Sequence, residues 1–285
     1  MAAPPVFRRL VLEVGHGAAG PATLRGAADV ARLLHLALHC VLVEDAALFD
    51  LPVLSFAREL RLPTHEWRPL DAGRLADDFA AMAAGLRHNL AALGASHGIA
   101  QALEVQRGDP ELCLGGLCSA GDIIVLAEAG PGWPRTHHAA RLQAMAQHSA
   151  ASVLLLPAVA PVTAAPVAAV LANPDDPSLA VAAGIAACAG AGLRVVLAAG
   201  DPAMVASRAA SLGVPAARVT VRGADGHDPA SLAAALDVAM GAARERLLVL
   251  DAAAWGADGL AAILAQARGV PVLLVETRLP VSRPG

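Results

Sequence analysis

Short apolar runs alternate along the whole chain with longer stretches in which small and apolar residues recur at helical spacing. Gly121–Pro157 shows this grammar most clearly. Asp122–Ala127 carries no charge after its first residue, as a parallel strand buried on both faces requires. Gly130, Pro131, Gly132 and Pro134 then interrupt any regular element. Thr136 is placed to cap a helix with Ala139, Leu142, Met145 and Ala146 along one stripe. Ser152–Leu156 returns as a second buried strand. The pattern predicts a βαβ unit with parallel strands and a right-handed crossover. Ligands of such sheets sit beyond the strand C-termini, which directs attention to the Gly130 loop.

The same alternation extends both ways. Upstream it predicts strands at Arg9–Val14, His39–Val43 and Leu103–Gln106. A helix runs from Pro21 to about Leu38, with Leu24, Ala27, Ala28, Ala31, Leu34 and Leu38 facing inward, and a long helix covers Ala72–Leu93, stopped by Gly94. Between them lies a less regular insert, Ala46–Arg61, with Leu48, Leu51, Leu54, Phe56 and Leu60 as expected buried anchors, and an extended piece at Glu66–Pro69. Downstream, the Pro/Ala segment 157–166 reads as a linker. Strands follow at Val167–Leu171, Leu193–Ala198, Val219–Val221, Leu247–Leu250 and Val270–Val275, with helices between them. Gly121–Leu156 and the stretch from Leu247 to Val275 share a layout, so the chain reads as an internal repeat of architecture. The expectation is two tandem three-layer α/β domains with parallel sheets, residues 1–157 and a shorter 166–285. They pack as an intramolecular pseudo-dimer through their last strands, Ser152–Leu156 and Val270–Val275, because unpaired edges invite pairing.

Composition narrows the function classes. Apolar residues make up 56%, inflated by Ala; aromatics are 2%, Tyr is absent, and all 21 basic residues are Arg. A net charge of −4 and a pI near 6.2 leave no electrostatic footprint for nucleic acid. Ser149–Asn173 is uncharged and long enough to span a bilayer, but Pro157, Pro161 and Pro166 divide it, so strand, linker, strand is the better reading. The N-terminal MAAPPVFRRL lacks a signal-peptide layout, and Cys40, Cys113, Cys118 and Cys188 show no metal or redox spacing. A cytoplasmic protein with reduced, mostly buried thiols is expected, with no membrane partner.

The order βαβ, insert, αβ, βαβ, repeated in tandem, resembles the universal stress protein family. The resemblance covers both halves and is strongest over residues 8–45 and 121–157. It implies flavodoxin-like sandwiches that pair through their last strands, in a family with one ATP-binding branch. That branch closes its first strand with an acidic residue. A later loop there reads Gly, two residues, Gly, nine residues, Gly, then Ser or Thr. Here Gly15 stands at the acidic position, Ala127 and Gly130 half-match the loop, and Ala140 and Arg141 replace its end. In the second half Asn173-Pro174-Asp175 follows the first strand and Ala252–Gly256 replaces the glycine loop. Pro131 and Pro134 each remove an N–H from the place where phosphates need them.

A candidate ligand pocket is nonetheless definable. Gly15, His16 and Gly17 meet Gly130 and Gly132 across the predicted switch point, with the Arg135 guanidinium available for an anion. Glu44 either touches a ribose hydroxyl or joins Asp45 in capping the next helix. His137, His138 and His148 lack the spacing to share one ion and read as exposed helix residues. Arg8-Arg9 reads as a solvated pair and Gly115-Gly116 as a turn. No nucleophile is visibly paired with a base. The expectation is a non-catalytic regulatory or stress-response interaction module without a cofactor. Its protein partners are left open, and a homodimer can be built on top of the pseudo-dimer. The alternative is a small-ligand or nucleotide sensor, with ATP the first nucleotide to test.

Overall fold

The computed structural model describes residues 7–15, 20–61, 64–127, 149–157, 165–215, 219–223, 234, 238, 244–256 and 260–276. The first half contains strands β1 (Arg9–Glu13), β2 (Ala37–Asp45), β5 (Gln101–Gly108), β6 (Asp122–Ala127) and β7 (Ser152–Leu156). Its helices are α1 (Pro21–Leu34), α2 (Ala46–Asp50), α3 (Ala72–His97) and α4 (Pro110–Leu117), with a hairpin of β3 (Arg58–Arg61) and β4 (Glu66–Pro69) in the insert. The second half contains β8 (Val167–Leu171), β9 (Leu193–Leu197), β10 (Val219–Gly223), β11 (Leu247–Asp251) and β12 (Val272–Val275). Its described helices are α5 (Ser178–Cys188), α6 (Pro202–Ser211), α7 (Ala252–Trp255) and α8 (Leu260–Arg268).

These strands, the hairpin apart, form one ten-stranded sheet in the order β10-β9-β8-β11-β12-β7-β6-β1-β2-β5. Counting each half's five strands in chain order, both halves read 3-2-1-4-5, so the repeat of architecture inferred from sequence is a repeat of topology. All neighbours within a half are parallel. The halves join where β12 pairs antiparallel with β7, with Val272 opposite Leu155, Leu273 opposite Leu154 and Leu274 opposite Val153. The fold is α/β, flavodoxin-like and Rossmann-type, with a mostly parallel sheet covered on both sides.

The interiors of the central strands are uncharged because both of their faces are buried; charged residues fall at strand ends (Arg9, Glu13, Asp122, Asp251) or towards the sheet edges (Glu104, Arg107, Arg194). One face packs Leu10, Leu12, Leu154, Leu156, Val249 and Leu273 beneath α1, α3, α5 and α6, in one core that crosses the junction. On the other face Val153, Leu155, Leu248 and Leu274 pack against α8, and Val11, Val41 and Val43 against Leu114 of α4. Helix α5 has almost no polar side (Leu179, Val181, Ala182, Ala183 and Ile185 are all buried), as expected of a helix enclosed by the core. Gly26 of α1 lies so close to β7 that a Cβ would stand 3.2 Å from Leu156.

Several expectations change. Helix α3 continues past Gly94 to His97 and stops at Gly98 in the left-handed conformation (φ 65°). Gly94 is instead a packing residue, since a Cβ there would meet Gln101 at 2.9 Å. Gly115 and Gly116 lie inside α4 rather than in a turn. The insert is not anchored as expected: Leu51, Leu54, Phe56 and Leu60 are exposed. The segment 149–173 is strand at both ends, β7 and β8, and no helix among the described residues is long and apolar enough to cross a membrane.

Candidate functional site

Each half has a switch point where the crossovers leave to opposite faces: beyond β1 and β6 in the first, beyond β8 and β11 in the second. In the first half the chain leaves β1 through Glu13, which is 5% exposed. Its Oε1 accepts the Gly15 N–H at 2.6 Å. A Cβ on Gly15 would lie 2.5 Å from that oxygen, so the turn requires glycine as long as the carboxylate stays in place. Gly15 is the predicted site residue that the structure locates at this junction. His16, Gly17, Gly130, Gly132 and Arg135 lie outside the described residues, as do His137, His138 and His148.

Glu44, the remaining predicted residue, ends β2 in an ion pair with Arg107 of β5. Arg107 donates from Nη2 at 2.7 Å and from Nε at 2.9 Å. The guanidinium lies 3.9 Å above the Phe49 ring, which stacks on Phe79 of α3. Asp45 caps α2 by accepting the Ala47 N–H. Of the two readings of Glu44-Asp45, capping belongs to Asp45, while Glu44 ties two strands together.

The second junction is closed by its own carboxylate. Asp176, 3% exposed, accepts the Ala172 N–H at 2.9 Å through Oδ2. Through Oδ1 it accepts the Ser178 N–H at 3.0 Å and the Ser178 hydroxyl at 2.5 Å. Ser178 begins α5, so a negative group already occupies the helix N-terminus where a Rossmann-type site receives phosphate. Beside it, a cleft of about 550 Å³ is lined by Pro174, Asp175, Asp201, Met204, Ser207 and Arg208. Arg208 Nη1 donates to the Pro174 carbonyl at 2.7 Å and to Asp175 at 3.1 Å. Next to Asp201, Gly200 has φ 116°, and a Cβ there would stand 2.5 Å from the Pro174 ring.

The opposite, N-terminal edge of the sheet holds two further buried carboxylates. Asp122 accepts from Arg9 Nε at 3.2 Å, from the Ser119 N–H at 2.9 Å, and from Arg8. Arg9 is thus an ion-pair donor and not solvated, while Arg8, 58% exposed, stays at the surface and reaches Asp122 at 3.4 Å. Burial alone would raise the Asp122 pKa, but Arg9 and Ser119 together hold it below the usual value. Glu245, fully buried, is clamped by Arg268 Nε at 2.9 Å and Arg194 Nη1 at 2.7 Å.

Burial pushes the Cys40 thiol up to about 12 and the Cys118 thiol to about 11, and both remain protonated at neutral pH. Among the described residues no three His, Cys, Asp or Glu side chains cluster as a metal site. Sequence reasoning missed Glu13, Asp122, Asp176 and Glu245. The available signal was an acidic residue set against an apolar strand end, as in RLVLEV and RERLLVLD.

No family model matches the chain, and no curated protein does so either.

Proposed function

We propose that the chain is a non-catalytic, universal-stress-like interaction module whose strand–helix junctions do not receive a nucleotide. The observation that supports this most is Asp176: the anion position at the start of α5 is filled by a buried carboxylate with three hydrogen bonds. A phosphate would have to displace it and approach its charge. Glu13 makes the corresponding bond to Gly15 in the first half.

Thermal unfolding with and without millimolar ATP, ADP, AMP and magnesium tests the reading. Specific binding at one hundred times the dissociation constant adds about 2.7 kcal/mol, a plainly visible shift. The proposal expects none. A second reading, a small-ligand sensor, draws on the cleft beside Pro174 and Arg208, although sequence placed that pocket in the first half. A shift with one nucleotide would bring that reading forward.

A further inference from the structure

The β3–β4 hairpin is a sheet of its own, separate from the ten-stranded sheet. Two strands alone are marginal in water and need a third strand or a packing partner. Leu51, Val53, Leu54, Phe56, Leu60 and Trp67 supply six of the large exposed apolar side chains, all within this one arm. Val53 is 85% exposed, Phe56 78% and Trp67 62%. Concentrated exposure of this kind marks an interaction surface.

The register says what fits it. Leu70 donates to the Ala57 carbonyl at 3.2 Å, which sets the phase of the ladder. Leu60 and Trp67 are then a non-hydrogen-bonded pair, so the Trp67 N–H and C=O lie on the outer edge of β4. Pro69 falls on that same edge and has no N–H to offer, which stops longer pairing and centres any added strand on Trp67. The two faces differ. Leu60 and Trp67 share one, while Glu59, Arg61, Glu66 and Arg68 share the other, with Arg68 bonded to Glu66 at 2.7 Å.

We propose that this arm is a self-association surface, in which β4 of one copy pairs antiparallel with β4 of a second copy about Trp67. The sequence Glu66-Trp67-Arg68 is self-complementary in that pairing. Each Glu66 stands opposite the other copy's Arg68, and the two Trp67 side chains meet on the apolar face. Leu60, Trp67, Trp67 and Leu60 then form a row across a four-stranded sheet. On β3, pairing through both outer-edge residues, Arg58 and Leu60, would set Glu59 against Glu59. Pairing about Leu60 alone would match Glu59 with Arg61 but bring together the smaller, less exposed Leu60 in place of Trp67, so the buried apolar area favours β4. The interface is small, so the dimer is of the weak, concentration-dependent kind. This inference goes beyond the nucleotide question and does not depend on its outcome.

Sedimentation equilibrium over a range of protein concentrations tests it. The full chain is expected to pass from monomer to dimer mass as concentration rises, with slower amide exchange confined to residues around Trp67. Trp67→Glu is expected to stay monomeric while melting as the wild type does, because the arm lies outside the core. The charge variants Glu66→Arg and Arg68→Glu should each fail to self-associate, yet dimerise when mixed with one another. A wild-type chain that is monomeric throughout overturns the proposal in favour of an extended peptide from another protein as the added strand. Dimers of undiminished strength in all three variants, or failure of the mixture to associate, overturn it as well.

Discussion

Asp176 offers the sharpest perturbation of the candidate site. Its carboxylate accepts from three donors, and replacing it by Ala removes all three hydrogen bonds while leaving the donors, Pro177 and the start of α5 in place. Ala172 is half-buried, so its N–H can reach water, and the Ser178 hydroxyl can rotate. The Ser178 N–H is fully buried and loses its side-chain acceptor. One unsatisfied buried donor costs about 1–3 kcal/mol, and loss of a helix-start cap costs about 1 kcal/mol. The two overlap here, giving an expected loss of about 2–3 kcal/mol. Urea unfolding reads this as a midpoint lower by about 1 M at a slope of about 2–3 kcal/mol per M. Inorganic phosphate distinguishes a filled anion position from an ordinary turn. With chloride as the control for general salt effects, phosphate is expected to recover part of the loss in Asp176→Ala and to leave the wild type comparatively unmoved. A variant within 0.5 kcal/mol of wild type would refute the reasoning, as would a wild type that gains as much from phosphate as the variant does.

Three further outcomes follow from the same geometry. Glu245→Ala leaves Arg268 buried without its carboxylate, so a loss of about 3–5 kcal/mol is expected in urea unfolding; a loss under 1 kcal/mol would show that the buried pair is dispensable. Asp122 has a lower pKa in the fold than in the unfolded chain, so its contribution to stability is complete above about pH 4 and is lost as pH falls through the folded value. Asp122→Asn should therefore flatten the acid limb of a stability-versus-pH curve, and an unchanged limb would contradict the assignment. In native protein, iodoacetamide should alkylate exposed Cys188 first, and Cys40 only after unfolding, as read by peptide mass spectrometry. Rapid labelling of Cys40 would mean its strand opens locally.

The sheet was legible because its central strands, buried on both faces, leave apolar runs, and each of its ten strands overlaps a predicted one, although the edge strand β5 carries Glu104 and Arg107. The pairing of the two last strands was legible for a related reason. Ser152–Leu156 and Val270–Val275 are uncharged throughout, and each would otherwise leave an open edge. The insert misled because hydrophobic composition does not say whether a side chain finds a core. Phe56 and Leu60 look like anchors in sequence yet lie on an arm of two strands. Gly94 read as a helix stop because glycine commonly ends helices, but here it admits Gln101, and the left-handed stop falls at Gly98. The candidate site was least legible. Asp176 sits in Asn173-Pro174-Asp175-Asp176-Pro177, which reads as a solvated polar turn, and only the fold turns its carboxylate back onto Ala172 and Ser178. Arg9 likewise looked solvated until strand pairing placed it beside Asp122.

The central claim is that neither strand–helix junction admits a nucleotide, and residue-resolved amide exchange tests it most directly. The amides of Gly15, Ala172 and Ser178 donate to Glu13 and Asp176, so they report on the two positions a phosphate would need. These three amides are expected to exchange at the same rates with and without millimolar ATP and magnesium. Selective slowing at any of them on adding nucleotide would contradict it.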